Sequence, residues 1–399
     1  MTSHALVPAR LPTPGSAVRE PAALGRPVRE PAAPRRLAPL GSPRSIAAPR
    51  GHRTEIAALR VLAIVSVVVY HYWPAALPGG FVGVDVFFVI SGFLITSHLV
   101  RELDETGRIR LRRFWLRRAA RLLPAALTVI ATVALLAPIV LPVIDRDGTA
   151  VQQLSSIFLV QNWALVFQAV DYLSAGAAPT ALEHFWSLST EEQFYALWPA
   201  ALVGVAAAAR VLRIDRRRVR AAILVLAAGS FILSIWLTAT APGAAYFNTG
   251  VRAWEFLGGA VLCLLPQPPA RARLPLALVG AALLGAALVV VTPALAFPGW
   301  IAAIPVAGAM LVIAAGTPAA GSRLARACGH PIIDYVATRS YAIYLWHWPV
   351  LIFAPAIVAG AGQSRPLSAA SLLVVLAIAV MLAELTHRLV ENRFRAGAR

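Results

Sequence analysis

The sequence predicts an all-α, polytopic membrane protein with about ten transmembrane helices and both termini in the cytoplasm. Three observations predict it. The chain is 59% hydrophobic with a mean hydropathy of +0.71, yet carries a net charge of +18, so charge and apolar surface are segregated along it. Its apolar runs reach the roughly 17 to 25 residues that cross a hydrocarbon core. All 36 basic residues are arginine, and 33 of them fall on one side of the alternating series that those runs define, which is the positive-inside pattern. The remaining three, Arg146, Arg252 and Arg365, fall on the other side.

Residues 1 to 50 form a separate zone rich in Pro, Ala and Arg, with the near-repeat VREPAALGRPVREPAAPRR. No apolar run there can pack a core, so the stretch reads as a disordered cytoplasmic tail preceding a membrane domain over 51 to 395. It contains no signal-peptide core, which leaves targeting to the first span. Nucleic acid is not an expected partner despite the charge, because no basic and aromatic module accompanies it.

The spans are expected near residues 56 to 74, 80 to 100, 124 to 144, 190 to 209, 221 to 238, 251 to 266, 274 to 292, 300 to 315, 340 to 359 and 368 to 388. The segment from 150 to 170 is apolar enough to compete as an eleventh. Counting it would place the arginines from Arg210 to Arg220 outside, and Gln152, Gln153, Gln161, Asn162 and Gln168 would be costly facing lipid. It is therefore read as a re-entrant or interfacial stretch. The two cysteines, Cys263 and Cys328, suggest neither a disulfide nor a metal site, and no Cys/His spacing suits a metal.

Ionisable residues inside spans are expensive and mark sites. Arg60 and His71 lie eleven residues apart on the first span, about three turns, so they share a face some 16 Å apart along the axis. Asp85 opens the second span in GGFVGVDVFFVISGFLIT and needs a partner; His71 is the economical choice, since an aspartate on one ring nitrogen leaves the other free as a base. The run RELDETGRIRLRRFWLRRAARLLP sets Arg118 and Arg121 on one helical face, where guanidinium forks suit an anionic cytoplasmic ligand or the lipid surface. EHFWSLSTEEQFYALWP brings His184, Glu191 and Glu192 to the expected outer mouth of the fourth span. Arg252 and Glu255 stand three apart near the outer end of the sixth, and Ser340, Tyr344 and His347 share a face of the ninth.

Six separated stretches together resemble the membrane-bound acyltransferase-3 family: LRVLAIVSVVVYH with its R-x10-H pair Arg60 and His71, GGFVGVDVFFVISGFLI, FWLRRAARLLP, HFWSLSTEEQFYALWP, RAWEFLGG and SYAIYLWHWP. The resemblance covers about residues 53 to 395. The chain departs from the family pattern near its end, where Glu-x-Pro-Phe reads Glu391, Asn392, Arg393, Phe394.

The resemblance implies a multi-pass enzyme of the cell membrane that moves an acyl group, acetyl by preference, from cytoplasmic acyl-CoA to a hydroxyl of an extracytoplasmic glycan or glycolipid. No cofactor would be held permanently; acyl-CoA would be a co-substrate. His71, Asp85 and Glu191 are the expected catalytic residues, with Asp85 orienting the His71 imidazole. Arg60, Arg118 and Arg121 are expected to bind the donor, and His184, Arg252, Glu255 and His347 the acceptor. An acyl-histidine relay is the alternative to direct transfer. Many family members append an extracytoplasmic hydrolase-like domain. Without one, the acceptor would reach the bilayer unaided or through a separate partner protein. Two rival functions stand beside it: an acyltransferase for a lipophilic metabolite such as a macrolide, which would keep the same residues without outer access, and a secondary transporter, which would also have about ten spans with buried charges but whose internal repeats are not found.

Overall fold

The computed structural model describes Ile46 and residues 52–141, 146–170, 179–211, 216–359 and 367–397. The expected disordered tail lies outside these residues, save for Ile46, which is buried and donates its N–H to the Leu265 carbonyl at 3.1 Å. Among the described residues the chain is all-helical, without strands.

Seven helices are long and apolar enough to cross a membrane, and the chain is a multi-pass membrane protein. They are α1 (Thr54–Tyr72), α2 (Gly83–Thr106, entered through a short 3₁₀ turn), α3 (Leu111–Val140), α7 (Arg216–Thr240), α10 (Ala270–Val290), α13 (Pro331–Ala359) and α14 (Ala369–Thr386). Three others coincide with the remaining expected spans. Helix α6 (Phe185–Val211) has the length but carries Glu191, Glu192 and Gln193, while α9 (Thr249–Leu262) and α11 (Ala303–Ala315) have 14 and 13 residues. At 1.5 Å per residue the last two span only about 20 Å.

The segment from 150 to 170 divides into α4 (Arg146–Ile157) and α5 (Gln161–Val170), each too short to cross. The break comes at Leu159, whose φ of 58° lies in the left-handed region. Its polar residues turn into the protein. Asn162 donates to the Phe247 carbonyl and Thr249, Gln193 donates to the Leu159 carbonyl and to Asn162, and Gln161 is buried. Hydrogen bonds inside the protein remove the cost that Asn162 and Gln193 would carry beside lipid, while the Gln161 side-chain amide is buried without a hydrogen-bond partner among the described residues.

Local signals set several helix ends. Gly107 (φ 74°) stops α2 by returning its N–H to the Leu103 carbonyl, and the Asn248 side chain caps α9 by accepting from the Gly250 and Val251 amides. The axis of the bundle is α2, buried over 89% of its most apolar window, whereas the corresponding share is 17% for α7 and for α10, which present themselves outward. Helices α2 and α9 approach closely because glycines face backbone. A Cβ on Gly92 would stand 1.9 Å from the Phe256 carbonyl oxygen, and one on Gly259 would stand 2.1 Å from that of Val89. Helices α4, α5, α8 (Pro242–Phe247) and α12 (Arg323–Cys328) are short connectors, and a π turn over His387–Glu391 joins α14 to α15 (Asn392–Gly397).

Candidate active site

The polar residues of the bundle collect at two levels of α1, one around His71 and one around Arg60. At the first level, His71 Nδ1 lies 3.0 Å from His347 Nε2, with the two ring planes inclined by 16° and 5.2 Å between centroids. His347 Nδ1 sits 2.6 Å from the carbonyl of Tyr344, one turn earlier on α13, and the Tyr72 hydroxyl donates to the His347 carbonyl at 2.9 Å. His184, just before α6, packs its ring edge-on against His347 and bonds through Nε2 to the Leu345 carbonyl at 3.2 Å. Trp348 and Tyr70 also pack against His71, with ring centroids 4.5 and 5.3 Å away. Among the described residues, no three of His, Cys, Asp and Glu are arranged to hold a metal ion.

The sequence pairs His71 with Asp85; the structure does not. Asp85 Oδ1 lies 3.1 Å from Arg252 Nη2, and Arg252 Nε lies 3.3 Å from Glu255 Oε1, so one guanidinium stands between two carboxylates. All three side chains are at most 1% exposed. The guanidinium carbon also lies 5.5 to 5.8 Å from the ring centroids of Phe88, Trp186, Tyr246 and Phe297, within reach of their negative faces. This triad ties α2 to α9 beside the Gly92 and Gly259 contacts. The expected acceptor site over His184, Arg252, Glu255 and His347 is therefore divided, two residues with His71 and two in the triad.

At the second level, Arg60 donates to Ser340 Oγ at 2.9 Å and faces a cavity of about 120 Å³. Arg118, Arg121, Glu191, Ser91 and Tyr195 line the same space. Both Ser91 and Tyr195 donate their hydroxyl protons to Glu191 Oε1. Arg118 lies over the Tyr195 ring, 3.2 Å from its centroid, with nitrogens 3.7 Å from carboxylate oxygens of Glu191 and Glu192. Trp115 Nε1 donates to the Tyr195 carbonyl at 3.0 Å, fastening this part of α3 to α6. The sequence separates these residues, with Arg118 at the cytoplasmic end and Glu191 at the outer mouth. Their contact puts them at one depth, about 10 Å along α6 from the level of His184.

A second cavity, of about 300 Å³, adjoins the first, and Arg60 and Leu94 line both. Its far wall holds His52, Arg53, Arg101 and Asp334, at the opposite end of α1 from His71. On the other side, Ser187 and Tyr344 line the inner cavity, and their hydroxyls, 2.6 Å apart, lie beneath the histidines, with Tyr344 donating to the His184 carbonyl. The two adjoining cavities thus extend from the vestibule past Arg60 to Ser187 and Tyr344, and the Tyr344 hydroxyl links the inner cavity to the His184 backbone. The rest of the arginine run on α3 faces elsewhere. Arg110, Arg112, Arg113 and Arg117 join Arg393 of α15 around a separate surface groove of about 920 Å³. Ser91 and Ser187 escaped sequence reasoning, since a serine in an apolar helix carries little signal until its partners are known.

The acyltransferase domain that defines the acyltransferase-3 family matches residues 53–384. The chain belongs to that family. It is 30% identical over 366 residues to the peptidoglycan O-acetyltransferase OatA of Listeria monocytogenes, covering 87% of this chain and 56% of the relative. It is 31% identical over 360 residues to a Bacillus subtilis protein provisionally named a peptidoglycan O-acetyltransferase, covering 84% and 54%. It is also 31% identical over 353 residues to a provisionally named O-acetyltransferase of Staphylococcus aureus, covering 84% and 56%. The chain spans about half the length of these curated relatives. No solved structure matches it.

Proposed function

We propose that this chain transfers an acyl group, most simply acetyl, from acyl-CoA at the cytoplasmic side to a hydroxyl of an extracytoplasmic envelope glycan. The observation that carries the reading is Arg60, which joins the two cavities while sharing one face of α1 with His71. In this reading the vestibule of His52, Arg53 and Arg101 faces the cytoplasm, with the N terminus inside. Helices α6, α9 and α11 complete ten crossings, the count that keeps 33 of the 36 arginines on the cytoplasmic side.

The donor enters past Arg101, its polar arm meets Arg60, Arg118 and Arg121, and its thioester reaches the His71 level, about 16 Å further along α1. His71 takes the proton of the acceptor hydroxyl as that oxygen bonds to the thioester carbonyl carbon. The carbon–sulfur bond then breaks, and the leaving thiolate takes up the proton from His71. Glu191 counters Arg118, keeping the cavity from closing around an unbalanced cation. Peptidoglycan is the favoured acceptor because the Listeria relative is named for it, and a metabolite acceptor or a transport role has no comparable support.

The test is transfer of label from radiolabelled acetyl-CoA to peptidoglycan fragments by the reconstituted protein, compared with His71→Ala. A general base contributes about 100-fold or more. Loss of that order in a folded variant supports the reading. Near-normal turnover by His71→Ala removes His71 from the chemistry, and no labelled product from the unaltered protein with any acceptor hydroxyl refutes the transferase.

A further inference from the structure

We infer that His347 is a positioning residue, which accepts the Nδ1 proton of His71 and so leaves His71 Nε2 as the nitrogen bearing the lone pair. The inference rests on the reading of His71 as base and supplies the partner that sequence reasoning sought in Asp85.

His347 Nδ1 lies 2.6 Å from the Tyr344 carbonyl oxygen, which can only accept, so Nδ1 carries the proton. His347 is fully buried, and among the described residues no carboxylate pairs with it, which favours the neutral ring. A neutral imidazole has one N–H, so His347 Nε2 presents a lone pair. Facing it at 3.0 Å is His71 Nδ1. Two lone pairs would repel, so His71 Nδ1 is the donor and its Nε2 is unprotonated.

Packing holds the arrangement in place. The hydrogen bond to the His347 ring and the tilted Trp348 ring restrict rotation of His71, while Tyr72 fixes the His347 backbone. Among the described residues, His347 is the hydrogen-bond partner of the His71 ring. Asp85 is engaged with Arg252. When His71 Nε2 takes the acceptor's proton, the imidazolium keeps its Nδ1–H bond to His347, whose lone pair then faces a full positive charge. The same contact that selects the tautomer therefore strengthens as the proton arrives.

The experiment uses the full chain in lipid nanodiscs with ¹⁵N-labelled histidine, whose ring nitrogens report directly whether each carries a proton; His71→Ala assigns the His71 signals. The unaltered protein should show His71 protonated at Nδ1 only. His347→Leu removes the acceptor and should let His71 populate the other tautomer, with turnover reduced about tenfold or more and the KM for acetyl-CoA unchanged. His347→Gln, which can present an oxygen near the same place, should recover most of both. A His71 ring protonated at Nε2 in the unaltered protein overturns the inference, as does a His347→Leu protein that retains the tautomer or full turnover. If His347→Leu fails to fold, the unaltered and His347→Gln spectra still decide. If His71→Ala remains active, the base assignment falls, while the tautomer measurement judges the pairing separately.

Discussion

Replacing Arg252 with Met removes the one cation from between Asp85 and Glu255, which lie 3.1 and 3.3 Å from it. Two carboxylates are then left against each other where none of the three side chains exceeds 1% exposure. Removing one partner of a buried ion pair costs about 3 to 5 kcal/mol, whereas replacing every member by well-packed hydrophobic residues of similar volume is often neutral or better. A loss of that size is about two to four powers of ten in the folded-to-unfolded ratio. Arg252→Met should therefore be nearly absent from membranes, measured as monodisperse protein by fluorescence-detected size exclusion. Adding Asp85→Val and Glu255→Met, which leave no polar group in the triad, should restore it. None of the three residues lines either cavity around Arg60, so the folded triple variant should still transfer acetyl groups. A folded but inactive triple variant would return the triad to substrate handling, as the sequence alone suggests. Normal abundance of Arg252→Met would refute the claim that the triad pins α2 to α9.

Three further outcomes follow from the same geometry. Gly259→Ala puts a Cβ 2.1 Å from the Val89 carbonyl oxygen, and forcing α2 and α9 apart should cost about 1 to 3 kcal/mol, seen as a lower thermal midpoint; an unchanged midpoint would mean the helices part freely. Leu159→Gly relieves a left-handed residue and should leave the midpoint unchanged or raise it by the equivalent of about 1 kcal/mol, so a clear loss would show that the Leu159 side chain matters more than its backbone. Glu191→Gln keeps an acceptor for Ser91 and Tyr195 but removes the charge facing Arg118, so folded protein should persist while donor KM changes; an unaltered KM would take Glu191 out of the donor cavity.

The helices were legible because apolar length and arginine placement are properties of local sequence. Partners were not, because they depend on which helices meet. Periodicity put Arg60 with His71 and Ser340 with His347 on their respective faces, and the bundle lays those two faces together. Nothing local could show that Asp85, closer in sequence to His71, would lie against Arg252 across 167 residues. The same limit explains Glu191. Its place at the start of the expected fourth span, 190 to 209, suggested an outer mouth, whereas α6 begins at Phe185 and Glu191 helps wall an internal cavity, with Ser91 of α2 and Arg118 of α3 opposite. Short helices α9 and α11 were legible as apolar runs, but their lengths are set by the turns around them, which hydropathy does not register.

Separating the arginine level from the histidine level by about three turns has a chemical consequence. A base that must accept a proton works poorly beside guanidinium groups, whose charge opposes formation of imidazolium, with about 4 kcal/mol of repulsion at 4 Å for an effective dielectric of 20. At about 16 Å that repulsion falls to about 1 kcal/mol. Arg60 and Arg118 can thus face an anionic ligand without suppressing His71, and the neighbouring Glu191 and Glu192 reduce their reach further. The tyrosine and serine hydroxyls between the levels add polarity without adding charge. Moving a cation up to the histidines should therefore harm catalysis more than removing one from below. Tyr344→Arg, beside His347, should abolish turnover even in protein that folds and still binds acetyl-CoA, whereas Arg121→Gln should chiefly raise donor KM. If both variants lowered turnover equally with unchanged donor binding, the spacing along α1 would have no electrostatic purpose.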